Sequence, residues 1–309
     1  MGRRDLRPAR CRARRPRRAG GGRRAGTPRG RLRHRHGPPV CGRARANEGA
    51  VNERVLTAAW VVWMALRAEQ RGMRTRPMVV VVSVVQPVAL LAIVAGTRRL
   101  MSDQASVVVS AVVLTAMWSA TVWTAGGVLR RERTYGTLAR SVTSQFSPSL
   151  VLFGRSLGAT LYSAGGILAS SAAVIVLLRL RVAVPHPLWL LVALLVVVAS
   201  GTALGMLLAC LFLVTRHGLA WSGALIYPVF ILGGLLIPPD ALPEWLRWVP
   251  TLLSLHWVHE FVVGISAGAV RATPLALAVA LTVAYLIAAV ACLRAAVDAG
   301  RRRGTLELV

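Results

Sequence analysis

Residues 188–214 read LWLLVALLVVVASGTALGMLLACLFLV, and this stretch decides the fold. It carries no charged side chain, and apolar residues occupy every face of a helix drawn through it. A helix of a soluble core keeps its apolar residues on one side, at i, i+3, i+4 and i+7, with polar residues opposite. At 1.5 Å per residue, about 20 residues cross the roughly 30 Å hydrocarbon core of a bilayer. The pattern therefore predicts a membrane-spanning helix.

Five further apolar stretches of similar length occur in the chain. The six predicted spans are residues 78–97, 106–129, 150–178, 188–214, 219–237 and 273–293. Inside a bilayer every backbone N–H and C=O must bond within the protein, so only helices and closed barrels cross it. A barrel needs short segments of alternating polarity, whereas this sequence shows long uniform ones, and the mean hydropathy of the whole chain is +0.58. We therefore predict an all-α membrane protein with six transmembrane helices.

Arginine placement predicts the orientation of the spans. Short loops rich in Arg or Lys stay on the cytoplasmic side. The chain has no lysine, and thirteen arginines flank the spans on the side that holds both termini, against six on the other. We predict that both termini are cytoplasmic.

Composition divides the chain into four parts. Residues 1–50 hold 17 of the 38 arginines and have few apolar side chains, so they cannot bury a core and we expect a disordered tail. We predict an amphipathic interfacial helix over residues 51–76. The transmembrane domain follows over 77–294 and a cytoplasmic tail over 295–309.

Three interpretations of the arginine-rich tail stay open. Clustered guanidinium groups attract the phosphates of lipid or nucleic acid. A transit peptide is the second, although the first fifty residues lack serine. The third is translation starting further downstream, near Val51, Val55 or Met64, which a composition typical of GC-rich DNA favours. We assign the tail no function and expect no nucleic-acid partner.

The spans contain almost no groups that could power transport. A phosphate-binding P-loop needs a lysine, which this chain lacks. Ion-coupled transporters place ionisable groups at membrane depth, but Arg155 is the only charged residue within the predicted spans. We expect no catalytic residue and no cofactor in this chain, and an energy source in a partner.

His256, His259 and Glu260 suggest a metal site, since i and i+3 lie on one helical face. One helix supplies at most three ligands here, and Cys210 and Cys292 are not at metal-ligand spacing. We expect no bound metal.

Three segments at the span edges carry candidate functional residues. Residues 55–71 suit a helix in the inner interface, or else a plain signal anchor, with these side chains at headgroup depth: Trp60, Trp63, Arg67 and Arg71. Residues 130–158 begin with both signs of charge, which fits either a docking surface or a solvated loop.

The third segment lies between spans five and six. Pro238 and Pro239 end a helix, and the residues after Pro250 are too few and too charged to span. We predict a short re-entrant or surface helix there, preceded by an outer motif made of Pro238, Pro239, Leu242, Pro243, Trp245 and Leu246.

These segments together resemble the permease subunit of type-2 ATP-binding-cassette exporters, of the daunorubicin-resistance-like kind, found in the bacterial plasma membrane. RRERTYGTLARSVTSQFSPSLVLFGRSLG, residues 130–158, is similar to that family's E-R-x-x-G-T-L stretch. GGLLIPPDALPEWLRWVP, residues 233–250, is similar to its G-x-x-F-P-x-x-x-L-P-x-W-L signature. The resemblance covers about residues 55–295, although the family's Asn-Pro pair after this motif is absent.

The resemblance implies two permease subunits, each docked to an ATPase subunit, that export a hydrophobic or amphipathic substrate (drug, antibiotic, lipid or glycan). Spans two and five would part at the dimer axis. It also implies that the ATPase stroke is received by Arg131, Glu132, Arg133, Gly136, Thr137 and Leu138. Two other hypotheses stay open, a membrane-embedded enzyme handling lipid and a scaffold that transports nothing.

Overall fold

The computed structural model describes residues 40–96, 105–136, 146–179, 186–214, 243–244 and 248–302. The chain divides into two units, residues 1–48 and residues 49–309. Of the first, only the helical residues from 40 onward are described.

The described residues form helices joined by short connections, with no strand among them. The helices are α1 (Val40–Met73), α2 (Pro77–Val80), α3 (Gln86–Gly96), α4 (Ala105–Ala120), α5 (Val128–Thr134), α6 (Pro148–Leu177), α7 (Pro187–Val214), α8 (Ser254–Ser266) and α9 (Ala272–Arg302). Two π-helical turns, Val81–Val85 and Thr121–Ala125, join α2 to α3 and lead from α4 towards α5. The predicted all-α class is confirmed.

Five of the helical stretches are long and apolar enough to cross a membrane. They are Pro77–Val94, Val107–Thr134, Pro148–Leu177, Pro187–Phe212 and Ala272–Ala299, which match predicted spans one, two, three, four and six. Predicted span five, residues 219–237, lies outside the described residues. Helix α1 begins at Val40, eleven residues before the predicted start of the interfacial helix at 51.

Proline marks where three of the spans begin. Pro77, Pro148 and Pro187 are the first residues of α2, α6 and α7. Proline fits the first helical turn because its missing N–H would be unpaired there in any case. The predicted span starts at 78, 150 and 188 are therefore one or two residues late.

Span two lies at the centre of the described helices. Within its apolar window 72% of the residues are buried, compared with 11% for span six. Its Met117 and Trp118 pack in one apolar cluster with Ile167 of span three, Val197 of span four and Phe261 of α8. Helix α8 is thus part of the protein interior, held by buried apolar side chains.

Spans one and three meet where proline interrupts a hydrogen bond. Pro87 has no N–H to bond the carbonyl of Ser83, four residues earlier. The hydroxyl of Ser170 in span three donates to that carbonyl at 3.2 Å, in a hydrogen bond shared with the Ile167 carbonyl at 3.0 Å. Gly166 allows the approach, because a Cβ there would lie 2.9 Å from the Cβ of Ser83. Pro87 therefore follows directly after a π turn and lies at an interhelical contact.

Candidate functional site: a buried charge cluster at one end of the spans

Helix α1 lies directly against the first turns of span three. A Cβ atom added to Gly154 would lie 2.6 Å from the carbonyl oxygen of Val62, and one added to Gly158 would lie 2.7 Å from that of Leu66. Such backbone-to-backbone contact is possible only where a side chain is missing, as in the Gly-x-x-x-Gly pattern of packed membrane helices. The two glycines thus form a groove that holds α1.

Glu69 of α1 is the centre of a charge cluster beside this groove. Its side chain is 1% exposed and accepts hydrogen bonds from three arginines. Arg76 and Arg131 each donate to Oε1 at 2.8 Å, and Nε of Arg155 donates to Oε2 at 3.0 Å. A buried carboxylate is tolerated when it is paired and fully hydrogen-bonded. Glu69 therefore links α1 to the start of span one, the end of span two and span three.

A second carboxylate extends the cluster. Glu132 of α5 is 4% exposed, and its Oε1 pairs with Nη1 of Arg155. Arg155 consequently bridges Glu69 and Glu132, which lie on different helices. Its place within an apolar span is explained, since both carboxylates compensate its charge.

The break between α4 and α5 positions Arg131. The π turn ends with the N–H of Gly126 bonded to the carbonyl of Thr121 at 2.8 Å, and α5 begins at Val128. Nη1 of Arg131 donates to the carbonyl of Thr124 at 3.0 Å. Arg131 thus bonds both a carbonyl in this broken stretch and Glu69, and so fixes α5 against the π turn and α1.

The arginines set the charge of Glu69. Burial alone raises the pKa of this carboxyl, but the charges of Arg131, Arg155 and Arg76 outweigh burial, and the net pKa is lowered from its ordinary value of 4.5. Glu69 is therefore ionised at neutral pH, and its contacts with the three arginines are ion pairs.

The residues predicted for ATPase coupling separate into three groups. Arg131 and Glu132 belong to the buried cluster. Arg133 is partly exposed, and Gly136 is exposed with φ of 66°, a backbone conformation that favours glycine. Thr137 and Leu138 lie outside the described residues. Tyr135, which the sequence did not suggest, is 72% exposed beside them.

The predicted interfacial residues lie on the exposed side of α1. Trp60 and Trp63 are half exposed, Arg67 and Arg71 are exposed, and the Arg67 guanidinium carbon lies 4.5 Å from the centre of the Trp63 ring. The opposite side buries Val61, Leu66, Glu69 and Met73. Glu69 thus lies within an otherwise apolar buried side of α1, and the interfacial position of this helix stays a prediction.

Of the predicted outer motif, Pro243 is described and exposed, and the other five residues lie outside the described part. Further along, α8 brings Nδ1 of His259 within 3.4 Å of the Ser110 hydroxyl of span two. Across the described ranges, no three His, Cys, Asp or Glu side chains converge as metal ligands.

Sequence reasoning did not identify Glu69, Arg76 or the Gly154/Gly158 groove as parts of a site. Two signals were present. Arg155 is a charge within an apolar span, so it needs a buried carboxylate partner. Glu69 follows Leu66 by three residues and precedes Met73 by four, which places it on the same helical side.

Fold and site together define a multi-pass membrane protein whose N-terminal helix α1 is tied to its spans through ion pairs. The family model of the ABC-2 type transporter matches residues 61–266, about two thirds of the chain. The chain belongs to this family, and it is a membrane permease component of an ABC transporter. A search of curated proteins found no match, and neither did a search of solved structures. The daunorubicin-resistance-like subtype stays a prediction.

Proposed function

We propose that this chain is the permease subunit of an ABC exporter, which moves a hydrophobic or amphipathic substrate outward using ATP hydrolysed by a separate subunit. We further propose that it works as a pair of permeases in a bacterial plasma membrane, with both termini cytoplasmic. The observation that carries the proposal is the charge cluster around Glu69. It joins α5, at the end of span two, to α1, span one and span three.

The ion pairs of the cluster connect α5 mechanically to α1 and to span three. Residue Arg155 holds Glu132 of α5 and Glu69 of α1, while Arg131 holds Glu69 and the Thr124 carbonyl. Breaking a buried ion pair is strongly unfavourable. A displacement of α5 therefore moves α1 and span three with it instead of being absorbed locally.

The surface that would receive the ATPase is the exposed end of α5. Arg133, Tyr135 and Gly136 lie there, and Thr137 and Leu138 continue it in sequence. Glu132 is buried, so in this proposal it positions α5 and does not itself contact the partner. An exposed aromatic side chain beside an arginine is a common composition for the centre of a protein interface.

An apolar cavity supports the class of substrate. About 510 Å³ of space lies between spans two, three and four and helix α8, at the end of the spans opposite the charge cluster. Its walls are mostly aliphatic, for example Leu114, Leu168 and Leu194, with the hydroxyls of Ser110 and Ser171 among them. A volume of this size with few polar groups is typical of sites for apolar or amphipathic small molecules.

The test separates docking from transmission. The tagged permease is purified in mild detergent from its native membranes, and both the co-purified ATPase activity and substrate-stimulated hydrolysis are measured. Tyr135→Ala should reduce the co-purified activity severalfold with no change in the thermal midpoint, because its side chain is mostly in solvent. Arg155→Gln should retain the ATPase but lose stimulation, because the link to Glu69 and Glu132 is gone.

Val176→Ala is the matched control, since Val176 is equally exposed but lies at the far end of span three. It should behave as the unmodified chain does. A folded, unmodified chain that recovers no ATPase activity would sink the exporter proposal and favour the enzyme or scaffold hypotheses.

A further inference from the structure

A second cavity lies beside the charge cluster. Its volume is about 300 Å³, and its walls come from the beginning of span one and the end of span two. The apolar part is built from Pro77, Met78, Val79 and Trp123. The polar part consists of Thr124 and of the arginines Arg76, Arg130 and Arg131.

The three arginines differ in their partners. Arg76 and Arg131 donate to Glu69. The Nη1 nitrogen of Arg130 is buried and has no hydrogen-bond partner within the described part of the chain. Leaving a buried donor unpaired costs more free energy when the donor belongs to a charged group than when it belongs to a neutral one. The guanidinium group of Arg presents five N–H donors in a fixed fork. A buried guanidinium nitrogen in the wall of a cavity is therefore short of an acceptor.

The net charge around the cavity is positive, which also favours an anionic ligand. Four guanidinium groups, on Arg76, Arg130, Arg131 and Arg155, stand against the carboxylates of Glu69 and Glu132. Two positive charges are thus left uncompensated by this cluster. A fork of N–H donors with surplus positive charge is the arrangement that proteins use for phosphate.

The surroundings identify the source of the phosphate. Met78, Val80 and Val81 follow Arg76 in span one, and all three are about half exposed. In a chain that crosses the membrane, these side chains face acyl chains. The cavity thus combines a cationic wall, an apolar flank and the ring of Trp123 at one span end, which is how headgroup sites are built.

We propose that this cavity binds the phosphate group of an anionic phospholipid, with Arg130 as its principal ligand and Arg76 and Arg131 beside it. The lipid's acyl chains lie along Met78, Val80 and Val81. The inference requires only that the chain spans a membrane, and it does not depend on the direction of transport or on the ATPase.

The test measures phosphatidylglycerol bound to the full-length protein by native mass spectrometry. The arginine-rich tail attracts anionic lipid without selectivity, so the titration is run at about 1 M salt. There the Debye length is about 3 Å and exposed charges are screened more than buried ones. Arg130→Gln should weaken the persistent lipid adduct roughly tenfold, the effect of losing one charge-assisted hydrogen bond.

Arg133→Gln is the matched control. It removes the same charge from the same helix, and Arg133 does not line the cavity. It should leave the adduct unchanged, and Arg130→Lys should weaken it less than Arg130→Gln does, because a charge remains. Thermal midpoints of all variants show whether each is folded.

Several results would overturn the proposal. Equal loss in Arg130→Gln and Arg133→Gln would show a general effect of charge. If phosphatidylcholine binds as strongly as phosphatidylglycerol, the site does not select lipids by the charge of their headgroup. Displacement of the lipid by millimolar inorganic phosphate would identify a site for free phosphate. If Arg130→Gln does not fold, Arg130→Lys alone carries the comparison, and an undiminished adduct there contradicts a fork-shaped site.

Discussion

Glu69 is the residue whose loss should matter most to stability. Glu69→Gln removes the one carboxylate shared by Arg76, Arg131 and Arg155. Breaking a buried pair costs about 3–5 kcal/mol, and we expect the lower end because each arginine keeps some contact with water. The thermal midpoint in detergent measures it. Glu53→Gln, the same substitution at an exposed position of α1, should leave the midpoint unchanged, and an equal fall in both would contradict a structural role for the cluster.

The cluster should also give the protein a characteristic response to acid. The pKa of Glu69 in the folded protein lies below its ordinary value of 4.5. A carboxyl with a depressed pKa contributes stability that is fully present above 4.5 and is lost as the pH falls through the folded pKa. The difference in midpoint between the unmodified chain and Glu69→Gln should therefore be constant above about pH 5 and shrink below 4.5. A difference that stays constant down to pH 3 would show that ionisation of Glu69 contributes nothing.

At the scale of elements, the contact between α1 and span three depends on Gly154 and Gly158, because only a residue without a Cβ fits there. Gly158→Ala should destabilise the protein and free α1, because the added Cβ would lie 2.7 Å from the Leu66 carbonyl, a backbone atom that cannot rotate away. Gly165→Ala in the same helix meets nothing within 4 Å and should be neutral or stabilising by up to about 1 kcal/mol, since alanine is the better helix former. Thermal midpoints and the rate of tryptic cleavage after Arg67 and Arg71 measure both. If the two substitutions behave alike, α1 is not held in this groove.

The contact between spans one and three can be tested by a double-mutant cycle. Ser170→Ala should cost about 1 kcal/mol, because the Ser83 carbonyl loses its donor. In a Pro87→Ala background the restored N–H of residue 87 can bond that carbonyl, so the same substitution should cost less than half as much. Additive effects would mean that proline does not create the need for Ser170.

The sequence predicted elements better than contacts, for physical reasons. An apolar run such as residues 188–214 must be helical in lipid whatever surrounds it, so the five spans that the structure describes were predictable, most of their ends within a few residues. In the charge cluster, Glu69 meets Arg131, which is 62 residues further along the chain, and Arg155, which is 86 residues further. Nothing local in a sequence specifies which carboxylate meets which arginine. The Gly154/Gly158 spacing was visible, but a glycine pair predicts a close neighbour without saying which helix it is.

At the scale of the whole molecule, the orientation of the spans is open to a direct test. In a chain whose four cysteines are replaced, Tyr135→Cys and Arg179→Cys place single thiols at opposite ends of the span set, both at exposed positions. If arginine-rich loops are cytoplasmic, a membrane-impermeant maleimide should label Arg179→Cys in intact cells. It should label Tyr135→Cys only after the membrane is opened. The reverse pattern would invert the proposed topology and with it the position of the ATPase.

The two π-helical turns have a consequence for how this chain diverges from its relatives. In each turn a backbone N–H reaches back five residues instead of four, as Gly126 does to Thr121, so the turn holds one residue more than regular helix. A single residue inserted into an α-helix would rotate everything after it by about 100°, whereas a π turn confines that change to one place. We therefore expect length differences of one residue among relatives to fall at Val81–Val85 and Thr121–Ala125, within spans one and two, and not only in the loops. These turns would then mark old insertions that spans one and two have retained.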